Sequence, residues 1–212
     1  NVDFSASLLF YRSLGYNLLL VDQRAHQDSE GTFLTFGAKE RYDVISWVTY
    51  LGQKLGQEHP LFLGGLSMGA TTVLLASCFE FPANVRGVIA DCGFTSAWEQ
   101  IKHSIKSNMR LPAFPSLYLV RLFARIFAGI RLRGCDTRKA MEKNTTVPVF
   151  FATGTRDRVV PPEMTKQNYE ACRAPKMLLL TEAAHGMSYL AAKAEYEKQL
   201  EDFLEGCLKQ ID

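Results

Sequence analysis

Leu61-Phe-Leu-Gly-Gly-Leu-Ser67-Met-Gly-Ala-Thr71 is the stretch on which the reading of this chain turns. An apolar run short enough for a buried strand leads into it, and Met68 to Cys78, rich in Ala and Leu, leaves it as a helix. Between the two stands Gly65-x-Ser67-x-Gly69, the spacing of a nucleophile elbow. A serine at such a junction sits on a tight, strained turn, so the residues two before and two after it must be small for strand and helix to approach. The turn exposes the hydroxyl at the carboxyl end of a sheet and aims helix N–H groups at negative charge developing there. As a bare pattern it arises by chance in about 7% of chains this long. Its weight comes from the strand before it and the helix after it.

Outward from the elbow, helix and strand alternate to both ends. Asp3 to Leu14 reads as a helix with Gly15 past its end, and Tyr16 to Val21 as a buried strand. A helix follows Gly37, with Val44, Ile45, Val48, Leu51 and Leu55 on one face. Downstream, Val85–Ala90, Val147–Ala152 and Lys176–Leu180 read as strands, and a last helix aligns Tyr196, Leu200, Phe203, Leu204 and Cys207. Apolar strands joined by helices imply a mainly parallel sheet covered on both faces, an α/β fold in one domain spanning residues 1–212.

One segment breaks the alternation. No strand is evident between Asp91 and Val147, which marks an insertion at about residues 97–145. Within it, Ser116 to Arg133 is amphipathic: Leu119, Val120, Phe123, Ile126, Phe127 and Ile130 share a face, with Arg121 and Arg125 away from it. The expectation is a helical cap over the sheet's functional edge. A helix lying on a membrane surface is the competing reading, and the sequence gives no firm membrane signal.

Composition narrows the class. With 24 Lys+Arg against 22 Asp+Glu, a net charge of +2 offers no field for nucleic acid. Five dispersed cysteines, at 78, 92, 135, 172 and 207, form no metal-binding spacing and fit a reducing, cytoplasmic compartment. Neither a metal nor an organic cofactor is expected.

A serine hydroxyl needs a base to react at neutral pH. Of the four histidines, His185 lies in Leu180-Thr-Glu-Ala-Ala-His-Gly-Met-Ser, on a loop leaving the last strand at the elbow's edge of the sheet. His26, His59 and His103 fall elsewhere. Three aspartates compete to orient the base: Asp22, Asp91 and Asp157, each at the end of an expected strand. With Asp157 the order is Ser67, Asp157, His185, the chain order of α/β-hydrolases.

Together, the elbow, Asp22-Gln-Arg-Ala-His26, Ala90-Asp-Cys-Gly-Phe-Thr95, Gly154-Thr-Arg-Asp157 and Ala184-His-Gly186 resemble a bacterial α/β-hydrolase, similar to esterase-like and serine-peptidase-like members. The resemblance spans nearly the whole chain. It implies acyl transfer to Ser67, with the Met68 N–H as one oxyanion donor and a small acyl compound as substrate. A peptidase, or a binding protein on a hydrolase scaffold, is the alternative. Two departures stand out. Relatives commonly carry Gly where Gln27 follows the histidine. The fold's first three strands and the loop bearing the other oxyanion donor are also absent, so residues upstream of Asn1 are expected, including a strand between Tyr16–Val21 and Leu61–Leu63.

Overall fold

Along the central strands, neighbouring apolar residues serve opposite faces: Val88 and Ala90 join one hydrophobic cluster and Ile89 the other, as Val149 and Phe151 are set against Phe150 and Ala152. Such strands need cover on both sides. The computed structural model describes residues 4–209. In chain order it contains α1 (Phe4–Ser13), α2 (Glu40–Leu55), β1 (Leu61–Leu66), α3 (Met68–Ala76), β2 (Val85–Asp91), α4 (Ala97–Ser107) and α5 (Ala113–Phe127). Then follow α6 (Thr137–Lys143), β3 (Val149–Gly154), α7 (Pro162–Ala171), β4 (Lys176–Thr181), α8 (Ser188–Ala191) and α9 (Lys193–Lys209).

The strands form one parallel sheet in the order β1-β2-β3-β4. On one face Leu74, Leu75, Met141 and Phe151 pack together, contributed by α3, α6 and the sheet, with Val44 of α2 and Tyr169 of α7 against them. On the other, Phe150 and Leu179 meet Tyr196, Leu200, Phe203, Leu204 and Cys207 of α9, the row expected from the sequence, with Phe10 and Tyr11 of α1 alongside. Glu40, 1% exposed, is held by the Thr35 and Gly37 N–H groups and the Thr35 hydroxyl, which satisfy its buried charge. Among the described residues no helix is long and apolar enough to cross a membrane.

Tyr16–Val21 does not form the expected strand. Tyr16 packs edge-on against Phe62, but Leu19, Leu20 and Val21 are exposed and no ladder joins them to β1. β1 is therefore an edge of the described sheet. Without a neighbour to exchange hydrogen bonds, apolar alternation alone does not hold a segment in strand geometry.

Between β2 and β3 the chain leaves the sandwich. An antiparallel bridge, Ser96 to Asp136, closes the base of this excursion, and the Thr137 N–H donates to the Thr95 carbonyl at 2.9 Å. Ser96 also caps α4 by accepting the Glu99 N–H. Inside the closure stand α4 and α5, whereas α6 packs back against α3 and α7. Gln100 and His103 dock α4 onto the carbonyls of Val159 and Arg158, at 2.8 and 2.9 Å.

The apolar face read from the sequence of α5 does not turn inward. Leu119, Val120, Phe123, Ile126 and Phe127 are exposed, and of that row only Ile130, beyond the helix end, is buried. The inward side is instead Ala124 and, just past the helix end, Ala128, small side chains that let the chain lie close to Ala97, Trp98 and Ile101 of α4; Leu117 is buried as well.

Candidate active site

Ser67 carries a φ of 54° and a ψ of −110°, a conformation that costs a residue with a Cβ on the order of 1–3 kcal/mol. Its surroundings hold it there. Its N–H donates to the Asp91 carbonyl at 2.8 Å, and its own carbonyl accepts the Thr71 N–H at 3.0 Å. The Thr71 hydroxyl in turn accepts the Phe94 N–H at 3.0 Å, tying α3 to the loop after β2. A Cβ on Gly65 would overlap the Gly69 carbonyl and the Ala70 nitrogen, so the steric demand of the elbow is real at this position. Gly69 differs from expectation: the nearest atom an added Cβ would meet is Gln23 Nε2, at 3.9 Å.

A second close approach brings the other two loops together. A side chain on Gly154 would run into the Ala183 carbonyl. With none present, Thr155 and Arg156 donate to the carbonyls of Thr181 and Ala183 at 2.7 and 3.0 Å, joining the loop after β3 to the loop after β4. Asp157 lies on the first loop and His185 on the second. The ends of β1, β3 and β4 thus deliver Ser67, Asp157 and His185 to one edge of the sheet.

There His185 Nε2 is 3.0 Å from Ser67 Oγ, and His185 Nδ1 is 2.7 Å from Asp157 Oδ2. The Asp157 side chain is fully buried and that of His185 is 23% exposed. Asp157 Oδ1 accepts two backbone N–H groups, from Val159 at 2.8 Å and Val160 at 2.9 Å. This clamp was not read from the sequence, although Pro161 and Pro162 after Val160 signalled a tight turn. A carboxylate on Nδ1 fixes the imidazole so that Nε2 faces the serine hydroxyl. Met68, the first residue of α3, has an N–H with no carbonyl to accept it within the helix.

The competing candidates have other partners. His26 contacts the Arg24 carbonyl, His103 that of Arg158, and His59 is exposed beside Glu58. Asp22 accepts from Gln27, whose φ of 45° explains why glycine suits that position. Asp91 is buried behind the elbow: Oδ2 receives the Tyr196 hydroxyl at 3.3 Å, while Oδ1 has no partner among the described residues. Burial pushes its carboxyl up to about 6, against weaker opposing help from Tyr196 and His185. Cys92, also unforeseen, brings its sulfur within 4.8 Å of the Asp157 and His185 ligand atoms. Burial pushes its thiol pKa far up, which disfavours the thiolate a metal would require.

A family model described as the alpha/beta hydrolase fold matches residues 4–117. The Bacillus subtilis protein YqkD is 31% identical over 196 residues, covering 92% of this chain and 64% of its own. The lysophosphatidylserine lipase ABHD12 of Danio rerio is 28% identical over 174 residues, 78% of this chain and 42% of its own. The chain therefore spans less than two thirds of either relative. Among solved structures, the Pyrococcus furiosus esterase Pf2001 superposes with a TM-score of 0.74 at 23% identity, over 95% of this chain and 74% of that one. From the elbow, the parallel sheet and these matches together, the chain belongs to the α/β-hydrolase fold family.

Proposed function

We propose that the protein hydrolyses carboxylic esters through an acyl-enzyme on Ser67. The observation that carries this reading is the unbroken contact from Asp157 through His185 to Ser67, at 2.7 and 3.0 Å. In the proposed reaction His185 Nε2 takes the Ser67 proton as Oγ attacks the carbonyl carbon. Asp157 stays ionised and stabilises the imidazolium, while its two backbone N–H donors keep it from rotating away. The Met68 N–H meets the oxyanion, a contact typically worth about 3 kcal/mol of transition-state stabilisation. His185 then returns the proton to the leaving alkoxide, and water attacks the acyl-enzyme by the same route in reverse. Likeness to a lipase in sequence and to an esterase in structure supports an ester over an amide as the bond attacked.

A fluorophosphonate probe and a panel of acyl esters and aminoacyl amides test the reading. The wild type should be labelled and should turn over esters faster than amides, and Ser67→Ala should do neither. Equal labelling of both proteins would remove Ser67 from the mechanism, and faster amide turnover would favour a peptidase.

A further inference from the structure

From Gln100 to Cys135 the chain holds seven basic residues, Lys102, Lys106, Arg110, Arg121, Arg125, Arg131 and Arg133, and no acidic one. The whole protein is only +2, so this positive charge is concentrated on the excursion and opposed by an acidic excess elsewhere. The same segment presents bare apolar surface. Phe114 is 74% exposed, Phe123 53%, Ile126 62% and Phe127 60%, and the rings of Phe123 and Phe127 stack 5.8 Å apart. Beside them lies a cleft of about 390 Å³ lined by Arg121, Arg125, Arg131 and Arg133, with no carboxylate in its wall. None of these four makes an ion pair among the described residues, and Arg133 instead lies over the Trp98 ring at 3.9 Å.

Four unneutralised guanidinium groups around one cleft repel each other unless an anion sits among them. Phosphate oxygens suit their forked donors. Exposed aromatic and aliphatic side chains on a helix with such neighbours suit the headgroup–acyl boundary of a bilayer. A second copy of the chain suits the face less well, because a two-fold contact would set one basic segment against another.

We propose that α5 and its flanking segments dock onto an anionic phospholipid bilayer, with Phe123, Ile126 and Phe127 entering the boundary layer and the arginine cleft holding headgroup phosphates. This does not depend on the chemistry at Ser67. Because α4 is bonded to the carbonyls of Arg158 and Val159, docking also fixes which way the Asp157 edge of the sheet faces.

Flotation with vesicles tests it, using the Ser67→Ala variant beside the wild type so that the lipid stays intact. Vesicles of phosphatidylcholine and phosphatidylglycerol in equal parts should carry the protein, and vesicles of phosphatidylcholine alone should not. Arg121→Gln with Arg125→Gln should lower partition about twenty-five-fold, at roughly five-fold per arginine. Phe123→Ser with Phe127→Ser should also weaken it, and circular dichroism should show both double variants folded. Binding to neither vesicle, or equal binding to both, would overturn the proposal. So would a dimer in sedimentation that the phenylalanine variant dissociates, because a second copy would then occupy the face.

Discussion

Asp91 and Asp157 are both buried carboxylates close to His185, yet their surroundings give them opposite characters. Asp157 has a partner for each oxygen: two backbone N–H groups on one and the imidazole on the other. Among the described residues, Asp91 has one long hydrogen bond and an oxygen without a partner. Raising its carboxyl from 3.8 to about 6 costs the folded state roughly 3 kcal/mol at neutral pH. Below pH 3.8 the group is protonated in both states and the cost vanishes; it grows as pH rises towards about 6 and is constant above. Asp91→Asn should therefore stabilise the protein at neutral pH by about 1–3 kcal/mol and flatten its stability between those two pH values, as urea titrations at several pH values would reveal. Asp157→Asn should instead lower kcat by up to about 10⁴ without unfolding the chain, since the amide favours the wrong imidazole tautomer. The sequence offered three aspartates at strand ends. Chain order selected among them, but the backbone clamp and the unpartnered oxygen depend on packing between residues far apart in the chain.

Among the elements, the elbow was the most legible because its demands are local: a strand, a turn and a helix contiguous in sequence. Even so, the two glycines divide the demand unequally. Gly65→Ala should destabilise by more than about 3 kcal/mol or prevent folding, since backbone atoms obstruct the new methyl. Gly69→Ala should change stability by less than about 1 kcal/mol, with ester turnover retained. Thermal unfolding of the two variants would separate them. Where pairing or docking with distant residues decides, periodicity misled. Tyr16–Val21 has the apolar run of a strand but no ladder, and the broad apolar stripe of α5 faces outward while two alanines, Ala124 and Ala128, make the contact. Amphipathicity reveals that a helix has two sides, not which of them meets the body.

At the scale of the molecule, the parallel sheet brings Ser67, Asp157 and His185 to one edge because every strand points its carboxyl end there, as open α/β sheets do. The Ser96–Asp136 closure adds a further property. Entry and exit of α4 and α5 are neighbours, so residues between them can change in length or character without shifting the register of β2 against β3. The excursion is thus an interchangeable part: on the two proposals above, surface preference and bond-breaking would reside in separable stretches of one chain, free to diversify at different rates. Replacing residues 97–135 by a short glycine-serine linker should lower the melting temperature, because Ala97 and Ile105 are buried, yet leave Ser67 reactive towards a fluorophosphonate while vesicle binding is lost. A shortened chain that folds but no longer reacts would mean that the excursion helps to build the reactive edge rather than merely being carried by it.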